Sequence, residues 1–165
     1  MSLPPDFNPA LDLVLQRTLP VPVRKLWRAW TVADHLKQWF CPRPWRITDA
    51  LIELRPGGAF NFRMQGPDGE GGDNNNCFLE VEHERRLTWT DALTSGYRPV
   101  GTPGFLGGFF VGQVNFEPIE GGTRYVAIAR HALPEVRDRH EQMGFQEGWG
   151  IVADQLVEYC ESLTL

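Results

Sequence analysis

MGFQEGWGIVADQL, from Met143 to Leu156, reads as a helix whose first turns carry too many glycines. Each glycine inside a helix costs about 1 kcal/mol relative to alanine. Gly144, Gly148 and Gly150 therefore either push the helix start past Gly150 or mark backbone that must lie close to another element. Trp149 stands between two of them. Phe145, Trp149, Val152, Leu156, Tyr159 (or Cys160) and Leu163 recur at three- and four-residue spacing, which makes an apolar stripe. Such a stripe needs a sheet or another helix to cover it.

The covering layer lies upstream. Between Trp45 and His131 the pattern is one of short strands divided by turn residues. WRITDALIEL is one strand, RPGG a type II turn, and AFNFRMQ alternates Phe60, Phe62 and Met64 against Asn61, Arg63 and Gln65. GPDGEGGDNNN reads as a polar hairpin loop, and CFLEVEHERRLTWT as two strands meeting near His83 to Arg86. FFVGQVNFEP and TRYVAIARH are the last two strands, joined at IEGG. Before them, LDLVLQRTL is a first strand, and VRKLWRAW has Val23, Leu26, Trp27 and Trp30 at helical spacing. TVAD (Thr31–Asp34) offers an N-cap for a second short helix through Leu36, Trp39 and Phe40. Pro134 opens a helical region running to Leu163. The order β-α-α, about six antiparallel strands, then a long helix predicts an α+β fold. Residues 1–9 read as a loose leader and 10–165 as a single domain.

The bulk numbers exclude several classes. A chain of 165 residues with 42% hydrophobic and 22% charged residues is ordinary for a globular protein. A net charge of −5 leaves no basic excess to neutralise phosphates, so nucleic acid is not expected as a partner. Three scattered cysteines without a CxxC pair suit neither a disulfide framework nor a zinc site. No signal peptide and no apolar run of roughly 20 residues is visible, so no membrane association and a cytoplasmic setting are expected. Six tryptophans among 12% aromatic residues demand a ring-lined core, pocket or both.

LWRAWTVADHLKQWF, IELRPGGAFNFRMQGPDGE, FLEVEHERRLTWT, GGTRYVAIARH and MGFQEGWGIVADQL together resemble the START-like, or SRPBCC, superfamily. The resemblance is closest to the AHSA1-like group, related to the C-terminal domain of the Hsp90 ATPase activator. It runs in order from Leu11 to Leu163. It implies a helix-grip (Bet v 1/START-like) fold: a curved antiparallel sheet wrapped around the long C-terminal helix, with two short helices after the first strand. It also implies an apolar cavity between sheet and helix, and it admits a homodimer.

Strand parity nominates Phe60, Phe62, Leu87, Trp89, Phe110 and Val114 for the inner face. Trp30 and Trp39 would join them from the short helices, and Trp149, Val152, Leu156 and Tyr159 from the long one. Arg63 has the parity opposite to Phe62 and is expected outside. His131 closes the last strand and would stand at the pocket end as a hydrogen-bonding group, acid or base. Other polar candidates are Glu53, Glu80, Gln113 and Gln155. There is no GxSxG, GxGxxG, P-loop or HExxH, so no catalytic residue, cofactor or metal is assigned. The irregular stretch Asp91 to Gly108 is the expected gate. The leading functional expectation is a binder of a small hydrophobic or aromatic molecule. The alternatives are an enzyme of polyketide cyclase/aromatase or hydrolase type using the same cavity, and an Hsp90-type co-chaperone acting through its surface.

Overall fold

The computed structural model describes residues 3–164; Met1 and Ser2 of the expected leader and Leu165 of the expected domain lie outside them. Strand β1 (Asp12–Leu19) buries Leu13, Leu15 and Leu19 on one face. Helices α1 (Val23–Thr31) and α2 (Ala33–Leu36) follow. Then come β2 (Arg46–Ile52), β3 (Ala59–Gln65), β4 (Gly71–Glu82) and β5 (Arg86–Thr90). The two-residue strands β6 (Leu93–Thr94) and β7 (Arg98–Pro99) form a separate ribbon. Strands β8 (Phe110–Ile119) and β9 (Gly122–His131) lead into α3 (Pro134–Gln142) and α4 (Phe145–Ser162). The main sheet has seven strands in the order β1-β9-β8-β5-β4-β3-β2, antiparallel at every junction. Helices α1 and α2 carry the chain from one edge of that sheet to the other.

The expected α+β helix-grip architecture is therefore present, with local corrections. GGDNNN is the first half of β4, not loop; the hairpin is confined to Gly66–Glu70, because this polar run completes the ladder with β3. Only Val32 separates α1 from α2, so Thr31 ends α1 and its hydroxyl donates back to the Trp27 carbonyl rather than capping α2. α2 ends at Leu36, leaving Trp39 and Phe40 in the turn after it. The stretch after Asp91 is partly regular, with Gly96 N–H on the Gly57 carbonyl tying the β6–β7 ribbon to the β2–β3 turn.

The region from Pro134 to Leu163 is two helices. Gly144 has φ 91° and ψ 36°, a left-handed conformation that breaks the ladder between α3 and α4. Helix α4 thus begins at Phe145 and runs straight through Gly148 and Gly150. A side chain at Gly148 would meet nothing within 4 Å, whereas one at Gly150 would run into the Arg17 guanidinium reaching over from β1. The close approach expected of both glycines exists at Gly150 alone.

Candidate functional site

Large rings fill the space between sheet and helices. Trp30, fully buried on α1, is their hub: its ring lies 5.2 Å from Trp39, 5.1 Å from Phe40, 5.6 Å from Trp89 and 6.2 Å from Trp149, the last nearly parallel. On the sheet, Phe60 stacks on Phe78 at 5.0 Å and meets Trp89 edge-on at 5.3 Å. Trp89 can lie flat over β8 because its cross-strand partner is Gly112, where a Cβ would fall 2.5 Å from the indole. Phe62 meets Phe40 at 5.2 Å, and Trp149 reaches both Phe40 and Phe145 at about 6 Å.

The expected lining residues divide by depth. Trp30, Trp39, Phe60, Leu87, Trp89, Val114, Val152 and Leu156 are buried in one cluster, with Leu87 and Val114 directly paired across β5 and β8. Phe62, Phe110, Trp149 and Tyr159 are partly buried against it, and His131 is buried at the end of β9. Helix α4 leans chiefly on β1, α1 and α3. The β2–β3 side of the interior is reached from it through Trp149, which meets Phe40, and Phe40 in turn meets Phe62; all three rings are only partly buried. Tyr159 belongs elsewhere: its hydroxyl lies 2.6 Å from His35 Nδ1, roughly 20 Å along α4 from Phe145. Phe40 and Phe78 were not among the expected lining residues: Phe40 lies in the turn after α2, where helical spacing does not say which way a ring points, and a register shift between Phe78 and Glu80 masks the parity of Phe78.

At the other end of the ring cluster, two histidines are joined. His131 Nδ1–H donates to the Leu11 carbonyl at 2.8 Å, and His131 Nε2 lies 2.9 Å from His140 Nδ1. His140 sits in the last turn of α3 among Phe105, Phe110 and Phe145, all edge-on to its ring. Burial holds both imidazoles below their ordinary pKa, and His140, which His131 also disfavours, is pushed down to about 4. Asp91 stands nearby; burial raises its carboxyl although the Phe110 N–H donates to it. His140 was legible only as a neighbour of His131 in the chain. What joins them is the turn of α3 back over the end of β9.

The remaining polar candidates have structural partners. Arg63 pairs with Asp73 on the surface, opposite to the phenylalanines as parity requires. Glu53 accepts from the Ala59 N–H and the Ser95 hydroxyl, which keep its carboxyl below the usual range. Glu80, Thr88, Gln113, Asn115 and Arg86 form one network. Gln155 is buried, donating to the Trp39 and Cys41 carbonyls and accepting the Arg43 N–H, so it pins the turn after α2. Burial pushes the thiols of Cys41 and Cys160 up to about 11, too high for a ready nucleophile. Deepest in the interior, the Trp30 indole N–H and the Tyr125 hydroxyl lack a well-directed hydrogen bond; burial raises the phenol, an effect the nearby indole tempers. No group of three or more His, Cys, Asp or Glu among the described residues is placed to hold a metal ion. No helix among them is long and apolar enough to cross a membrane.

A family model described as Activator of Hsp90 ATPase homolog 1-like protein matches residues 20–161. Among solved structures, protein NE0264 from Nitrosomonas europaea is similar at 44% identity with a TM-score of 0.89, covering 94% of this chain and 97% of that one. A protein from Rhodobacter sphaeroides shares the fold at 24% identity and TM-score 0.79, over 93% of this chain and 95% of its own. So does an AHSA1-like protein from Aeromonas hydrophila, at 22% identity and TM-score 0.67, over 92% and 93%. No curated protein matches the chain.

Proposed function

The chain belongs to the Activator of Hsp90 ATPase homolog 1-like family, and on that premise we propose that it binds a small hydrophobic or aromatic molecule between the sheet and α4. The observation that carries this reading is the gradient of ring burial on the β2–β3 side. Trp149, Phe40 and Phe62 are partly exposed, and behind them the rings continue without a break to fully buried Trp30. A lining of aromatic side chains with a few polar groups at its margin is the usual composition of a site for an apolar guest. His131 would supply the polar end of the same cluster. The buried free thiols Cys41, Cys77 and Cys160 favour a reducing, cytoplasmic setting.

A thermal-shift series with apolar aromatic compounds tests the proposal. A compound at 100 times its dissociation constant adds about 2.7 kcal/mol of stability, a rise of roughly 5–10 °C for a domain of this size. The expected outcome is such a rise for the native chain and its loss in Trp149→Ala. A flat response across a broad set would overturn it.

The co-chaperone reading has one observation of its own. An open recess of about 580 Å³ on the outer side of α1 is lined by Arg24, Trp27, Arg28, Thr31, Val32, His83 and Glu84. It would act through that surface without a small ligand, and a chaperone recovered on the native chain but not on Arg24→Ala/Arg28→Ala would select it.

A further inference from the structure

The hydrogen-bond chain at the end of the sheet fixes which nitrogen is free. A carbonyl only accepts, so the Leu11 oxygen requires the proton on His131 Nδ1. In a neutral pair His131 Nε2 then carries a lone pair and accepts the hydrogen bond that His140 Nδ1–H donates across 2.9 Å. His140 Nε2 is left bare. It has no hydrogen-bond partner among the described residues, and it is not among the fully enclosed polar atoms. One proton added to the pair, on either ring, would place a hydrogen on that same nitrogen.

We propose that His140 Nε2 is the polar anchor for a neutral aromatic molecule bearing a hydroxyl group, a phenol, held edge-on by Phe105, Phe110 and Phe145. The inference rests on the small-molecule reading above and names the class of ligand. The rings connect the two places: His140 touches Phe145 at 5.3 Å, Phe145 touches Trp149 at 6.0 Å, and Trp149 stacks on Trp30.

The charges around the pair select a neutral ligand over a carboxylate. Arg130 on β9 is occupied by Asp6 and Asp12, and Arg137 on α3 by Asp138 and Glu141. Arg139 donates to the Leu106 carbonyl. Asp12 on β1 and Arg137 on α3 act on His131 with opposite signs and each is ion-paired, which leaves Asp91 after β5, also facing His131, as the charge that would repel an anion. Desolvation, which holds both imidazoles unprotonated at neutral pH, keeps the exposed nitrogen an acceptor. An acceptor in an apolar ring of phenyl edges is matched by an O–H donor on an aromatic body.

Calorimetric titration of the full chain at pH 7.5 with 4-methylphenol, 4-methylanisole and 4-methylbenzoate tests this. The expected result is roughly tenfold tighter binding of the phenol than of the anisole, whose oxygen has no proton to give. The benzoate should bind weakest, and His140→Phe should bring the phenol down to the anisole. Equal binding of phenol and anisole to the native chain would remove the anchor while leaving the interior site standing. Absence of binding by either would remove both. Independently of any variant, ¹⁵N spectra of the native imidazoles are expected to show His140 protonated at Nδ1 and bare at Nε2; the opposite tautomer would overturn the proposal.

Discussion

His140 ties the stability of the fold to pH. Its ring is held neutral by burial and by His131, with a pKa pushed down to about 4, whereas in the unfolded chain it titrates near 6.5. The unfolded state therefore binds the proton first as pH falls. Stability is full above about 6.5 and declines until about 4, by at most about 3 kcal/mol from this group. Urea melts of the native chain should weaken across that window, and His140→Phe should flatten the profile there. An unchanged slope in the variant would contradict the assignment. Single residues also mark the limit of reading a sequence. Parity placed Phe60 and Phe62 inward and Arg63 outward correctly, because β3 and β4 pair without a register shift. It missed Phe78, where β4 shifts, and gave no hint that Gln155 would pin the backbone at Trp39 and Cys41.

Among the elements, the α3–α4 joint separates two uses of glycine that look alike in the sequence. Gly144 supplies a left-handed residue in open space, so an alanine there clashes with nothing and costs only backbone strain, about 1–2 kcal/mol. Gly148 is an interior helical position with open space around it, so alanine should stabilise by about 0.5–1 kcal/mol. Denaturant unfolding of Gly144→Ala and Gly148→Ala is expected to move in opposite directions. Movement in the same direction would refute this account of the helix start. The 3.6-residue stripe of α4 was legible because its periodicity is local. The break at Gly144 was not, since a left-handed residue and a tolerated helical glycine are the same letter. The polar half of β4 hid for a related reason: GGDNNN has no strand pattern of its own and is extended by its pairing with β3.

At the scale of the molecule, the antiparallel run of strands could be read from turn residues and alternation, whereas the pairing of β1 with β9, which sets the sheet order, joins strands more than a hundred residues apart and could not. The candidate site could be read only in part. The excess of rings pointed inward as a set, yet which rings touch, and that Tyr159 turns to His35 while His140 joins His131, depends on how α3 and α4 pack. We propose that the ring cluster opens to a small aromatic guest between the sheet and α4. The six tryptophans make it directly measurable, because each indole N–H gives its own NMR signal. In a ¹H–¹⁵N titration with 4-methylphenol, the Trp30 and Trp149 indole signals should shift together and saturate, while that of Trp27, whose ring meets His83 and Phe116 rather than Trp30 or Trp149, and that of Trp45, outside the buried core, stay in place. Shifts confined to Trp27, beside the Arg24–Arg28 recess, or no saturating shift at Trp30 and Trp149, would contradict it.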